Sequence, residues 1–186
     1  VWVRPHLFRH DVVAGGPPDY FSEDGQRWGT MLYDWPAHRE EDWTWWRMRM
    51  ARICGLFDLV RIDHFRGFES AWAIPKGDET AKNGQWTEGP GDDVLQAIID
   101  VAGGTLIVAE DLGIIPESVT DLRKRHNLPG MSVLHFAFDD ENADNPHRPE
   151  NITKDSVVYT GTHDNDTTMG WWESGSDKRK GRVMKI

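Results

Sequence analysis

The sequence predicts an α/β fold built on a parallel sheet. The main observation is that short apolar segments, with cores beginning near residues 59, 106, 132 and 157, alternate with helical segments. A second observation is that no Gly-rich phosphate fingerprint follows any of these strands, which disfavours a dinucleotide-binding fold. The remaining arrangement for such units is a (β/α)8 TIM barrel, and about four parallel strands with intervening helices would be part of one.

The first 39 residues show little periodicity and many residues that break helices and strands. The stretch AGGPPDYFSEDGQRWG (14–29) holds four glycines and two prolines. Long segments of this composition often serve as lids or binding loops. We therefore expect residues 1–39 to form an ordered loop region that covers a substrate.

The next part of the chain predicts a helix, a strand and a second loop. Residues 40–55 fit a helix, because acidic residues open it, arginines follow and Gly55 closes it. The segment LFDLVRI (56–62) is typical of a short buried strand. Residues 67–91 have the composition of a loop.

Two further helices and three strands are predicted after residue 91. Residues 92–103 are amphipathic and end in glycine, and 116–126 have proline in the first turn and basic residues in the last. The predicted strands are TLIVAE (105–110), MSVLHFAF (131–138) and the start of DSVVYTGTHDND (155–166).

The length of the chain limits how much of a barrel it can hold. A complete barrel needs at least ~200 residues, whereas this chain has 186 and begins with Val1 rather than methionine. The final KRKGRVMKI resembles the opening of another helix. We expect residues 1–186 to be a fragment of one catalytic domain, with βα units over 40–186.

Composition excludes several classes of protein. A formal net charge of −10 argues against nucleic acid as a partner. The single cysteine, Cys54, rules out an internal disulfide framework and a multi-cysteine zinc site. No apolar run is long enough to cross a membrane and no signal peptide opens the chain, so we expect no membrane partner and a cytoplasmic location. Ten tryptophans suit a site that stacks sugars, although some will belong to the core.

Acidic residues follow three of the predicted strands: Asp63, Glu110 and Asp164. In a barrel the carboxyl ends of the strands carry the catalytic groups, so three acids from three strands would converge on one pocket. Arg61 lies two residues before Asp63 and therefore shares its face of the strand. A single acid at such a position is often only a helix cap, but three with Arg61 and His163 beside them favour a site.

Two chemistries suit this set of residues. We expect Asp63 to stay ionised beside Arg61, and Glu110, which follows four apolar residues, to hold its proton. One ionised and one protonated carboxyl group are what retaining glycosidic chemistry requires. The alternative is a metal site with Asp63, His64, His163 and Asp164 as ligands, although neither pair has the i, i+4 spacing of helical ligands.

Several segments resemble, in the same order, those of the 4-α-glucanotransferases. This is the amylomaltase or disproportionating-enzyme family, glycoside hydrolase family 77, a relative of the α-amylases. The segments are AGGPPDYFSEDGQRWG, LYDW, VRIDHFRGFESAW, GQWTEGPG, VAEDLG, PGMSVLHFAF and GTHDNDT. The first of them separates this group from ordinary α-amylases, whereas RID, AE and HD are shared more widely.

The resemblance implies a role for each matching residue. Asp63 matches the nucleophile, Glu110 the general acid/base and Asp164 the acid that stabilises the transition state. Arg61 matches the arginine that contacts the nucleophile. The substrate-binding residues that the resemblance implies are His64, His163, Asp19, Tyr20 and Trp28, the last three in a loop that arches over the glucan groove.

The implied reaction transfers a segment of a 1,4-α-glucan to the 4-hydroxyl group of an acceptor glucan or glucose. It needs no metal and no organic cofactor. Two alternatives stay open at this stage: an α-glucan hydrolase, and a chain that binds oligosaccharide without turning it over. The location would be the cytoplasm, or the plastid if the source is a plant.

Overall fold

The computed structural model describes residues 1–19 and 22–185. The strands it contains there are β1 (Val12–Gly16), β2 (Gln26–Arg27), β3 (Leu59–Ile62), β4 (Ser70–Pro75), β5 (Gln85–Glu88), β6 (Leu106–Ala109), β7 (Gly130–Val133) and β8 (Ser156–Tyr159). The α-helices are α1 (Trp35–Glu40), α2 (Thr44–Cys54), α3 (Asp92–Ala102), α4 (Glu117–Arg125), α5 (Thr168–Glu173) and α6 (Asp177–Val183). Short 3-10 helices cover Pro5–Leu7, Phe65–Phe68 and Leu134–Phe138. No helix within this described part is long and apolar enough to cross a membrane.

The four apolar segments predicted as strands form two parallel pairs. Strand β3 pairs with β6, with Ile62 opposite Ala109, and β7 pairs with β8. The backbone N–H of Ala109 donates to the carbonyl of Pro129 over 2.8 Å and so links the two pairs. Helices α3 and α4 precede β6 and β7 respectively, which confirms the prediction of an α/β fold with parallel strands.

The core lies between the helices and the first parallel pair. Helix α3 buries Val94, Leu95 and Ile98 completely, at the i, i+1 and i+4 spacing of one helix face. These side chains belong to the same apolar cluster as Trp46 and Met50 of α2. Each fully buried aliphatic side chain stabilises the fold by about 1.5–3 kcal/mol. This packing supports the strand ends that carry the acids.

The prediction of loops across 1–39 and 67–91 is wrong where four short strands lie. These strands form an antiparallel sheet in the order β2-β1-β4-β5. The glycines that suggested a loop serve the sheet instead, because a Cβ atom at Gly15 would collide with the carbonyl oxygen of Gln26 and the side chain of Ile74. Gly15 thus permits close approach of β1 and β2.

The predicted helix over 40–55 is shorter than expected, because only Thr44–Cys54 forms α2, and an earlier helix, α1, lies in the region predicted as a loop and ends at Glu40. Asp42 and Trp43 both have positive φ, 48° and 56°, and this turn separates α1 from α2. The acidic residues therefore end α1 rather than open α2. Helix α1 begins at Trp35, and the preceding Asp34 is its N-cap, because the Asp34 side chain accepts a hydrogen bond from the backbone N–H of Ala37.

The predicted strand over 131–138 is also shorter than expected. Strand β7 ends at Val133, and Leu134–Phe138 forms a 3-10 helix. All four residues of β7 are buried. A strand buried on both faces shows no alternation of polar and apolar residues, so its end cannot be seen in the pattern.

Candidate active site

The three acids that follow the strands all line one open cleft. This cleft has a volume of about 1200 Å³, and Asp63, Glu110 and Asp164 are among its lining residues. Asp63 comes directly after β3, Glu110 after β6, and Asp164 follows β8 by five residues. Because the carboxyl ends of parallel strands point the same way, side chains from separate parts of the sequence meet here.

Asp63 forms an ion pair with Arg61 of β3. The guanidinium Nη1 of Arg61 lies 2.7 Å from Oδ1 of Asp63, as expected for residues two apart on one strand. The arginine side chain is 25% exposed and the aspartate side chain 73%. The arginine also donates from Nε to the sulfur of Met131 over 3.3 Å. Both side chains line the cleft, and the less exposed Arg61 fixes the orientation of Asp63.

Glu110 is held by backbone groups on both sides of its carboxylate. Its Oε2 accepts a hydrogen bond from the N–H of His64 over 2.7 Å, and its Oε1 accepts one from the N–H of Leu112 over 3.0 Å. The N–H of Phe65 donates to the Glu110 carbonyl over 3.0 Å. Three contacts of this kind fix both the backbone and the carboxylate, which is the pre-organisation that a catalytic group needs.

His64 has an unusual backbone conformation, and the pKa of its ring is lowered. Its φ of 47° and ψ of 55° lie in the left-handed region, which turns its N–H toward Glu110. Burial lowers the pKa of the His64 ring below its ordinary value, and the nearby charge of Glu110 opposes this only in part. The ring is therefore neutral at pH 7 and can both donate and accept a hydrogen bond.

Asp164 and His163 lie in the turn after β8. Their side chains are 76% and 72% exposed, and Nε2 of His163 is 3.5 Å from Oδ1 of Asp164. The turn is shaped by its own hydrogen bonds: the N–H of Thr162 donates to Oδ1 of Asn165 over 2.8 Å, and the N–H of Asp164 donates to Oγ1 of Thr162 over 3.2 Å. Both side chains line the cleft.

The loop predicted to cover the site reaches it through Trp28. This indole is 45% exposed, lines the cleft, and meets the His64 ring edge-on with 4.9 Å between ring centroids. Its Nε1 donates to the side-chain oxygen of Gln26 over 3.1 Å. Asp19 accepts from the N–H of Ser22 over 2.9 Å and is not among the described residues that line the cleft. Tyr20 lies outside the described residues.

Sequence reasoning missed an aromatic wall and a buried acid. The wall consists of cleft-lining aromatic side chains other than Trp28: Tyr33, Trp35, Trp46, Phe68 and Trp72. The motif LYDW carried the first two, but tryptophans of the core and of a sugar site have the same composition. The missed acid is Asp111, which directly follows Glu110 and is almost buried, with 14% of its side chain exposed.

Two of the acids and both histidines were also candidate ligands of a metal ion. Within residues 1–19 and 22–185, no group of three or more His, Cys, Asp or Glu side chains is arranged to hold a metal ion. The arrangement that does exist is a pair of carboxylates at neighbouring strand ends, a third acid nearby, neutral imidazole and aromatic faces. Such groups can attack, protonate and stack a sugar.

Comparison with known proteins points in the same direction. The sequence model of the 4-alpha-glucanotransferases, glycoside hydrolase family 77, matches residues 1–186. The chain is 50% identical over 188 residues to the 4-alpha-glucanotransferase of Thermus thermophilus, covering 97% of this chain and 37% of that protein. It is 50% identical over 174 residues to the chloroplastic/amyloplastic 4-alpha-glucanotransferase of Solanum tuberosum, covering 94% of this chain and 30% of that protein.

A solved structure is also similar. The amylomaltase from Streptococcus agalactiae, in complex with acarbose, matches with a TM-score of 0.91 and 36% identity over all of this chain and 39% of that one. The chain therefore spans about a third of the length of the curated relatives it matches.

Proposed function

The chain belongs to the 4-alpha-glucanotransferase family, and we propose that it carries the catalytic acids for transfer of a 1,4-α-glucan segment to the 4-hydroxyl group of an acceptor glucan or glucose. The observation that carries the proposal is the presence of Asp63, Glu110 and Asp164 in one cleft. The register of β3 and β6 supports it further. Ile62 and Ala109 are paired, so the next residues, Asp63 and Glu110, follow neighbouring strands about 4.8 Å apart.

The proposed reaction has two displacement steps. In the first, a carboxylate oxygen of Asp63 bonds to the anomeric carbon, the bond to the leaving glucan breaks, and Glu110 gives its proton to the leaving oxygen. In the second, Glu110 removes the proton of the acceptor 4-hydroxyl group, that oxygen bonds to the anomeric carbon, and Asp63 leaves. Configuration is retained because the carbon is inverted twice.

The other proposed roles follow from position in the cleft. Arg61 orients the carboxylate of Asp63 through their ion pair. Asp164 stabilises the transition state by binding ring hydroxyl groups, and the rings of His163 and His64 bind the sugar near the cleaved bond. Trp28 offers an exposed ring face for an acceptor sugar.

We propose the same groove-covering role for the segment 1–39, with Asp19 and Tyr20 as sugar-binding residues. Transfer prevails over hydrolysis when the acceptor displaces water from the glycosyl-enzyme. Substrate-covering aromatic side chains favour this outcome, and the relative crystallised with acarbose is an amylomaltase.

We further propose that the two parallel strand pairs are part of a (β/α)8 barrel, with βα units over 40–186. The hydrogen bond that joins the pairs and the similarity to an amylomaltase over the whole chain support this. The proposed location is the cytoplasm, or the plastid in a plant.

The test uses the protein expressed from its natural reading frame, with maltotriose as the only substrate. Disproportionation should give glucose together with maltodextrins longer than maltotriose. Asp63→Asn should lose the reaction by a factor of at least about 10³, because no covalent intermediate can form. Maltose and glucose without longer products would indicate a hydrolase, and binding without products would indicate a carbohydrate-binding role; either result would contradict the proposal.

A further inference from the structure

Asp111, the residue after Glu110, forms a largely buried ion pair with Arg123. Nε of Arg123 is 3.0 Å from Oδ2 of Asp111, and the two side chains are only 9% and 14% exposed. The Nη1 group of the same arginine donates to the carbonyl of Leu128 over 2.6 Å and lies 3.3 Å from Oδ2 of Asp155. Burying charges in this way is costly unless they are paired, and Arg123 is paired with two carboxylates, those of Asp111 and Asp155. The Nε–H of Arg123 makes no hydrogen bond to the described residues, so its contact with Asp111 is purely an ion pair.

The carboxylate of Asp111 also continues the link between β6 and β7. The N–H of Gly130, the first residue of β7, donates to the carbonyl of Asp155, and the following N–H, that of Met131, donates to Oδ1 of Asp111 over 2.8 Å. Gly130 makes room for this contact, because a Cβ atom there would be 2.5 Å from the Asp111 carboxylate. The side chain of Asp111 thus accepts a hydrogen bond from β7 at a point beyond the last residue of β6.

The carboxylates of Glu110 and Asp63 are both linked to Asp111 through neighbouring residues. Leu112, the residue after Asp111, donates its N–H to Oε1 of Glu110. On the other side, Met131 accepts a hydrogen bond from Arg61, which pairs with Asp63. Any shift of Asp111 would therefore move the N–H that holds the Glu110 carboxylate.

We propose that Asp111, held by Arg123, is a positioning residue that aims the Glu110 carboxyl group at the leaving oxygen. This inference rests on the proposed function, in which Glu110 is the general acid. Asp111 acts through Leu112 and does not touch substrate, since it is not among the described residues that line the cleft. The rival explanation is that the ion pair only stabilises the fold.

Donors with different leaving groups separate these two explanations. Maltotriose needs a proton on its leaving oxygen, whereas α-maltotriosyl fluoride releases fluoride without one. Values of kcat/KM for both donors report formation of the glycosyl-enzyme. If Asp111 aims the acid, Asp111→Asn should lower kcat/KM for maltotriose at least about tenfold more than for the fluoride, a part of the 10²–10⁴ that general acid catalysis supplies. Equal losses for both donors would overturn the inference.

Two control variants show how large and how small the difference in kcat/KM between the two donors can be. Glu110→Gln should show the largest selective loss with maltotriose; equal losses there would contradict the proposed function itself rather than the role of Asp111. Asp92→Asn is the matched control, because Asp92 also forms an ion pair with an arginine of α4, Arg125, but lies at an exposed site and is not among the described residues that line the cleft. It should leave the ratio between the two donors unchanged.

A second variant decides the matter if Asp111→Asn does not fold. Arg123→Lys keeps the positive charge but cannot contact Asp111, Leu128 and Asp155 at once, as the guanidinium does. It should give a smaller selective loss in the same direction. A ratio equal to that of Asp92→Asn would overturn the inference.

Discussion

The backbone of His64 has a strained conformation that lets its N–H bond to the carboxylate of Glu110. Left-handed φ in a residue with a side chain costs about 1–2 kcal/mol, and glycine avoids this cost. Here the strain turns the His64 N–H onto Glu110 over 2.7 Å. Strain of this kind persists where the surrounding structure compensates for it, commonly at functional sites.

We expect His64→Gly to be more stable than His64→Ala by about 1 kcal/mol, because both lose the ring and only alanine keeps the strain. The measurement is the free energy of unfolding in urea for the two variants. At Gln96, an exposed position inside helix α3, the order should reverse, with the alanine variant more stable by about 1 kcal/mol. If His64→Ala proves the more stable of its pair, the left-handed conformation is not present in solution.

Residue-level prediction from the sequence was strongest for charges and weakest for backbone shape. The position of Arg61 two residues before Asp63 was enough to expect their contact. Neither the left-handed backbone of His64 nor the clamp at Asp111 could be predicted, because both depend on what neighbouring strands present. Histidine is enriched several-fold at positive φ, but only a few per cent of residues other than glycine adopt it, so the sequence DHF does not specify this conformation.

At the level of elements, the antiparallel sheet determines where Trp28 lies. Trp28 directly follows β2, and β2 is bonded to the rest of the protein through β1. Two adjacent glycines on β1 differ sharply in their surroundings. A Cβ atom at Gly15 would collide with Gln26 and Ile74, whereas one at Gly16 would have its nearest neighbour at 3.8 Å.

Gly15→Ala should therefore destabilise the protein by about 1–3 kcal/mol, as overpacking does, and should raise KM by displacing Trp28. Gly16→Ala should leave both quantities nearly unchanged. Urea unfolding and initial rates with maltotriose measure the two effects. Equal behaviour of the variants would mean that β1 and β2 are not in close contact in solution.

The short strands of the antiparallel sheet could not be predicted from the sequence. β2 has two residues and β5 four, and their exposed positions give no apolar run. Such strands exist because cross-strand partners stabilise them, and local composition does not specify those partners. The parallel strands were easier to predict because β3, β6 and β8 are runs of mostly apolar residues.

At the level of the whole molecule, the site is assembled from three strand ends that are distant in sequence. Strands β3 and β6 bring Asp63 and Glu110 to neighbouring positions, and the N–H of His64, the residue after Asp63, donates to the Glu110 carboxylate. Carboxyl groups about 5–5.5 Å apart are typical of retaining enzymes, and about 6.5–9.5 Å of inverting ones. One strand spacing corresponds to the shorter range.

Retention can be tested by replacing the base with an external nucleophile. With α-maltotriosyl fluoride and sodium azide, Glu110→Ala should form the α-configured glycosyl azide, because the donor needs no acid, Asp63 inverts the carbon once and azide inverts it again. Asp63→Ala should instead give the β-configured azide by a single direct displacement. Proton NMR of the anomeric signal distinguishes the two products. A β-azide from Glu110→Ala would mean that no glycosyl-enzyme forms, and that the two carboxylates, though adjacent, act on the sugar with a water molecule between them.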